Sequence, residues 1–550
     1  MRDYERLSPE RDRGPVRERY QALSVSRQPF LDEARRCAAL TIPALCPPDG
    51  LSNGAKLLEP YQAYGALGVK NLAEKICRAL FPPGRSFFRL SVSQYELERQ
   101  ITEMVSVIVS ERAVDPEAAQ KFVTDMTRTA STELEHKLAG VEQAILRDFE
   151  LDNNRPTDSE ALKHLINDGA VVRYCPQSGE EQPRIYDLNH HVVKRDPDGT
   201  VLDIITREGI TAMSVDPAIR VACGLGPAEK ESVLKEYDLF TRIRRGEKFW
   251  ETEQELNGVL VPGSKGTFPL DACPWVALRW TKIDGEDYGR SYVSDYRGSL
   301  QMLESLTQAL HDGGVISART IGFVNPNSSY GTRLRDVARA KNGDMVPGNA
   351  GDVTFLRVDK QNDMSWVLQT MQVIARDVSR AFLLNSSVQR DAERVTAQEI
   401  TAMIQELEGI LGGVYGAFGR EYQFPILKNL MVKMRRAGSL PELPVEVEPT
   451  IITGVDALGR TADLEKLAQF GQFLGMFPPD IVREYTRFSD LLKQGAVAIG
   501  VKVDSLLKSE EEVAAERERA MEMQMAQQAV APAINAVAQG MQQEQQIPPQ

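Results

Sequence analysis

The side chains able to do chemistry are few, and their spacing suits little of it. Five histidines are present: His136, His164, His190, His191 and His311. None stands in an H-x-x-x-H or mixed Cys/His ligand spacing, so a zinc site is not indicated. His190 and His191 are adjacent, and neighbours on a strand point to opposite faces, which spoils the pair as a chelate. Cys37, Cys46, Cys77, Cys175, Cys223 and Cys273 are scattered. That pattern reads as free thiols in a reducing compartment. No G-x-x-x-x-G-K-[ST] phosphate loop occurs. Gly224-Leu225-Gly226 lacks the flanking strand and helix of a dinucleotide site and reads as an ordinary loop. Asp284, Glu286 and Asp287 stand just before a helix. They could gather a cation, but acidic residues there better suit the positive end of a helix and its free N–H groups. No Ser/His/Asp or Cys/His set stands out. No catalytic residue, metal site or cofactor is therefore predicted.

The basic positions are more informative. Arg333, Arg335, Arg339 and Lys341 lie in a loop region opposed only by Asp336 and Asp344. Arg390 and Arg394 sit in the polar break NSSVQRDAER, residues 385–394. Taken alone, each is a solvated loop charge. The chain as a whole carries a net charge of −13. A tight duplex-DNA binder is usually basic, because cations neutralising phosphates supply most of the affinity. The balance excludes a strong grip on DNA. It does not exclude DNA passing by.

These residues must be positioned by a large scaffold. The 550 residues give room for roughly three or four domains of about 150 residues. No run approaches the roughly 18 apolar residues of a membrane span. The charged N-terminus has no apolar core of a secretory signal. The spacing predicts a helix over 28–40, a proline break at 41–50, and a second helix over 61–80 stopped by FPPG at 81–84. Residues 98–168 read as helical throughout. Residues 169–282 read as strands: AVVRYC, HHVVKR, TVLDIITRE, DLFTRIRR, KFWETEQEL and WVALRW are short, β-branched or aromatic. Asp198-Gly199, Asn257-Gly258 and Pro262-Gly263 supply turns between them.

Helices return after 288. Leu300, Leu303, Leu306 and Leu310 form one apolar stripe, and Val367, Met371, Ile374, Val378 and Ala381 form another. Between them, 320–360 is loop and strand. Thr396 to Glu399 is a capping box opening a helix over 397–436. Pro425 should kink that helix. Gly409, Gly412, Gly413, Gly416 and Gly419 weaken it and call for close backbone packing in return. Two or three more helices are expected over 460–520. The Met-, Gln- and Ala-rich tail after 522 reads as disordered, or helical only in an assembly.

The order of these elements, and several long strings, resemble the podovirus portal protein or head-to-tail connector family. The strings are TIPAL at 41–45, YQAYGALGVKNLAEKICRALFPPGRSFFRL at 61–90, DGEDYGRSYVSDYRGSL at 284–300, FLLNSSVQRDAERVTAQEI at 382–400, GGVYGAFGREYQFP at 412–425 and VEPTIITGVDALGR at 447–460. The likeness runs from about residue 20 to 510 and departs at about 98–140 and in the tail.

The resemblance implies a mainly helical α+β portal fold with wing, stem, clip and crown. The wing would be 1–285, helical to 168 and strand-rich over 169–282. The stem helices would be 286–319 and 361–384, flanking a clip at 320–360. A tunnel loop would follow at 385–395, a kinked wing helix at 396–440, a crown at 441–522 and a flexible tail at 523–550. It implies a non-enzymatic, twelve-fold homo-oligomeric ring at one capsid vertex of the virion, assembled in the host cytoplasm. Double-stranded DNA would be packaged and ejected through it without sequence readout. Its partners would be terminase, the major capsid or scaffold protein, and a tail adaptor protein, with no membrane and no cofactor. Gln389, Arg390 and Arg394 would face DNA in the tunnel loop, and Arg333, Arg335, Arg339 and Lys341 would belong to the clip. Two other readings stand beside it. An internal scaffold or tail adaptor protein would bind virion proteins without a DNA channel. A terminase-like ATPase or nuclease would need the phosphate loop that is missing.

Overall fold

Helix α1 (Val16–Leu40) lies across a sheet and keeps one buried stripe along its length: Val16, Tyr20, Leu23, Arg27, Leu31, Ala34 and Cys37. It starts twelve residues before the predicted Gln28, and Pro29 lies inside it. Pro29 withholds one N–H. The carbonyl that N–H would have met belongs to Val25, on a turn that is exposed to water. The proline is therefore tolerated on the outer face, and the inner stripe runs through it unbroken. The computed structural model describes residues 16–48, 50, 56–83, 86–91, 134, 137–225, 235–318, 321–324, 353–356, 361–384, 417–440 and 448–451. Positions 99, 335, 339–341, 345, 351, 407, 409, 472–474 and 476 are described besides.

The chain forms two units, Met1–Ala457 and Leu458–Gln550. In the first, α2 (Tyr64–Leu80) ends where the FPPG string begins. Helix α3 covers residues 137–151, and α4 (Asn154–Asp168) follows after a break at Asn153, whose φ is +56°. Most of the predicted 98–136 helix lies outside the described residues. In the second unit, residues 472–474 are helical and Met476 N–H donates to the Phe473 carbonyl. The other predicted helices of 460–520, and the tail, lie outside the described residues.

The strand-rich reading of 169–282 holds for all six strings. Strands β4 (His191–Arg195), β5 (Val201–Thr211), β6 (Glu236–Arg245), β7 (Phe249–Leu256) and β8 (Val259–Leu260) form an antiparallel meander, with β9 (Gly266–Pro269) paired to β7. Asn257 and Gly258 turn β7 into β8, both with positive φ. Strands β2 (Ala170–Tyr174), β3 (Arg184–Tyr186) and β10 (Trp275–Arg279) make a second sheet in the order β10-β2-β3. A short helix α5 (Pro217–Ala222) interrupts the strand region, capped by Asp216 with Pro217 in its first turn. Its signal, Asp followed by Pro, was available in the sequence.

One core joins α2, α3, α4 and the elements that follow, with Leu72, Ile76, Phe81, Phe88, Phe149, Leu165, Phe382 and Tyr422 among its members. At its centre Arg173 donates to Asp158 (2.6 Å), Asn154 (2.7 Å) and the Cys175 sulfur (2.8 Å). The Tyr422 hydroxyl adds a bond to Asp158 (2.9 Å). Burial of this ion pair is tolerated because each partner is the other's counter-charge. At Gly169 a positive φ ends α4, and an added Cβ would lie 2.5 Å from the Gly289 carbonyl oxygen. Only glycine fits that crossing.

Three expectations need correction. The acidic cluster does not cap the helix after it. Asp287 instead accepts from Lys194 (3.0 Å) and from the Arg195 N–H (2.8 Å), tying the chain to β4. Ser291 is the cap, accepting from the Ser294 N–H at 3.0 Å. The helix near Pro425 does not simply kink. A π-helical turn, Gly419–Gln423, precedes α8 (Phe424–Arg436), so Pro425 falls in the first turn of a new helix, where its missing N–H costs least. An added Cβ at Gly409 meets nothing within 4 Å, so this chain alone holds no close backbone approach there. The capping box and Gly412, Gly413 and Gly416 lie outside the described residues.

All six cysteines are free, and all but Cys273 are buried. His191 is buried and His190 exposed, as alternation on a strand requires. Among the described residues no helix is long and apolar enough to cross a membrane, and no group of His, Cys, Asp and Glu is placed to hold a metal ion.

Candidate functional site

Helix α6 (Tyr292–Ala318) leads into strand β11 (Ile321–Val324); strand β12 (Val353–Leu356) leads into helix α7 (Gln361–Ala381). The two strands pair antiparallel, Ile321 opposite Leu356 and Val324 opposite Val353. The two helices also run antiparallel. Gly313 lies against Met364, the Thr307 hydroxyl meets the Met371 sulfur (3.7 Å), and the Tyr292 hydroxyl donates to the Ala381 carbonyl (2.8 Å). The two predicted stripes meet in this seam. Leu300, Leu303 and Val378 are fully buried, while Leu306, Leu310, Val367, Met371 and Ile374 are half-buried. Burial thus fades away from the root of the pair.

The root is tightly built. Phe382 sits edge-on to Tyr292 (5.4 Å between ring centres) and near Tyr296 (5.7 Å). Burial, and the neighbouring Tyr296 hydroxyl, push the Tyr292 phenol up, so it remains a donor to Ala381. An added Cβ at Gly68 of α2 would lie 2.7 Å from the Phe382 ring, so a glycine is needed for that approach. Helix α7 ends in a Schellman turn. Leu384 N–H donates to the Ser379 carbonyl (2.8 Å) and Leu383 N–H to that of Arg380 (3.2 Å). The left-handed position is Leu383, φ +57°, where glycine is usual. That costs roughly 1–2 kcal/mol. The turn is held from α2: Asn71 donates to the carbonyls of Phe382 (3.1 Å) and Leu383 (3.0 Å), and Lys75 donates to that of Leu383 (2.8 Å). The Leu383 side chain is buried in return.

Of the predicted contact residues, Arg335, Arg339 and Lys341 are exposed in the segment between β11 and β12. Arg333, Gln389, Arg390 and Arg394 lie outside the described residues. Sequence reasoning missed Gly68, Asn71, Lys75, Tyr292 and Phe382. Their only signal was membership in the shared strings.

The outer faces of the two helices differ. From Gly298 to Ala318, α6 contains no Lys or Arg. Its outward positions, Gln301, Ser305, Gln308, Ala309 and Asp312, are exposed. Helix α7 instead exposes Gln369, Arg376 and Arg380, flanked by Trp366 (66% exposed) and Val373 (56%). Alongside α6, the backbone N–H groups of Tyr61 and Gln62 donate to Glu304 (2.9 and 3.2 Å).

A family model described as bacteriophage head to tail connecting protein matches residues 13–507. The portal protein of Escherichia phage T7 is 35% identical over 528 residues, covering 95% of this chain and 92% of that protein. The portal protein of Enterobacteria phage T3 is 35% identical over 503 residues, covering 90% and 88%. A solved chain from the virion of a native gene transfer agent particle is 12% identical with a TM-score of 0.33, covering 76% of this chain and 88% of that one.

Proposed function

The chain belongs to the bacteriophage head-to-tail connecting family of portal proteins, and from that premise we propose that it assembles as a twelve-fold ring at one capsid vertex, a conduit through which double-stranded DNA is packaged and later ejected. The single observation carrying this reading within the molecule is the α6–α7 pair. It is a long two-helix arm rooted in the body and tipped by a β-ribbon, the shape a subunit needs to contribute one stave to a channel wall. A ring closes when each copy presents one face to the next.

In this reading residues 1–285 and the helix over 396–440 form the wing, 286–319 and 361–384 the stem, 320–360 the clip, 385–395 the tunnel loop and 441–522 the crown. The clip docks the terminase motor during packaging and the tail adaptor afterwards, while the wing meets the capsid or scaffold protein. Arg333, Arg335, Arg339 and Lys341 touch phosphates or partners at the clip, and Gln389, Arg390 and Arg394 do so at the constriction, without base readout. The protein performs no reaction of its own; movement of DNA is driven by the docked motor. A net charge of −13 per copy keeps the wall from gripping the duplex.

Electron-microscopic images of the purified full chain test the reading. Closed rings with an axial hole are expected. Only monomers, or open filaments, would remove it.

A further inference from the structure

We infer that the outward face of α6, carrying Gln301, Ser305, Gln308, Ala309 and Asp312, is the wall that duplex DNA slides along, and that α7 turns its outward face to protein. The inference rests on the channel reading above and says which helix meets the DNA.

Three observations point the same way. First, the cation-free run from Gly298 to Ala318 is 21 residues long, counting both ends, or about 30 Å of helix. A duplex crossing that length presents about 18 phosphate charges. Every Lys or Arg on a wall would act as a brake at each passing phosphate. The α6 face offers short polar side chains and one carboxylate instead. Second, α7 is unsuited to that task. It exposes Arg376 and Arg380 toward its root. Trp366 and Val373, seven residues apart and so on one side of the helix, are more than half exposed in the single chain. A large aromatic beside an aliphatic residue is stabilised by protein contact, and tryptophan is enriched at such contacts. Third, the flank of α6 next to its outward face is already covered from its own chain, where Tyr61 and Gln62 bond Glu304 and the Tyr61 ring lies 5.5 Å from that of His311. The polar face is left open while its neighbours on either side are packed.

The test places single cysteines, Ser305→Cys on α6 and Gln369→Cys on α7, in full-length protein assembled into DNA-filled particles. Each is labelled with an azide photocrosslinker, with labelled wild type correcting for Cys273. Covalent DNA at position 305, with loss of that signal at 369, is the expected result. DNA captured at 369 instead, or equally at both, overturns the assignment of α6 but leaves the channel reading standing. Crosslinking of position 305 to a second copy of the chain overturns it likewise. DNA at neither position, in particles that contain the labelled protein and a full genome, removes the channel reading itself.

Discussion

The Asn71 side-chain amide donates to the carbonyls of both Phe382 and Leu383, 3.1 and 3.0 Å away and more than 300 residues later in the chain. One amide thereby fixes the point where α7 leaves its helix, at a left-handed leucine that has no local reason to hold that conformation. Asn71→Ala removes both bonds and costs about 1–3 kcal/mol. Urea unfolding of the purified protein checks this; an unchanged midpoint would mean that Lys75 alone holds the turn.

Gly68→Ala sets two effects against each other. Alanine improves helix propensity by about 1 kcal/mol. The added methyl, however, meets the Phe382 ring at 2.7 Å, and overpacking of that kind costs about 1–3 kcal/mol. Net destabilisation is expected, with partial rescue by Phe382→Leu in the same chain. Additive losses in the double variant would show that the two sites do not compete for one space.

Asp158→Ala strands the Arg173 guanidinium, fully buried and held charged by its carboxylate. Breaking one side of a buried pair costs about 3–5 kcal/mol. A large drop in thermal midpoint is expected, together with a shift in the fluorescence of the Tyr422 region. Replacement of both residues by apolar ones should recover part of the loss.

Burial pushes the His191 imidazole down to about 4 from its usual 6.5. Its ring nitrogen bonds the Tyr186 and Asp187 carbonyls at 3.0 and 2.7 Å, and the Arg27 charge adds to the depression. The folded state therefore disfavours the proton. Stability from this group is complete above pH 6.5 and is lost as pH falls toward 4. The shift corresponds to about 3 kcal/mol. Unfolding curves of the wild type and of His191→Gln, taken from pH 7 to 4, should converge as the pH drops. Parallel curves would assign the acid sensitivity to other groups.

Arg335→Ala with Arg339→Ala should leave the unfolding midpoint within about 0.5 kcal/mol, since both side chains are exposed. Binding of the packaging motor or of the tail should weaken in the same particles. Arg390→Ala with Arg394→Ala should instead leave rings intact and reduce DNA retention. Normal genome content in the second variant would dismiss a role for those arginines in the channel.

How much of this was legible in the sequence depends on how local its cause is. The strands were visible because Val192, Ile204 and Ile243 alternate with polar residues and Asn257-Gly258 dictates its own turn. The arm was visible because Leu300 and Leu303 share a stripe. Pro29 misled, because tolerance of a helix proline depends on which side of the helix faces water. Pro425 misled in a milder way, since a π-turn can absorb a proline and periodicity does not encode one. The root of the arm was illegible. Asn71, Gly68 and Phe382 act only on one another, across most of the chain, and no local pattern announces such a partnership. The assignment to a family came from long collinear strings, not from chemistry.

Strand β1 (Phe88–Ser91) pairs with β13 (Glu448–Ile451), residue for residue from Phe88 opposite Ile451 to Ser91 opposite Glu448. The two strands are about 360 positions apart in the chain. No copy can close this ribbon until nearly all of the first unit has been synthesised, and the loop it closes carries a high entropic cost. Folding should end, not begin, here. A nascent chain halted before residue 448 would keep its meander and its helical arm but leave the β1 edge bare, an open template for the wrong partner. Release from the ribosome, rather than any ligand, then sets the earliest moment at which a copy is fit to join another.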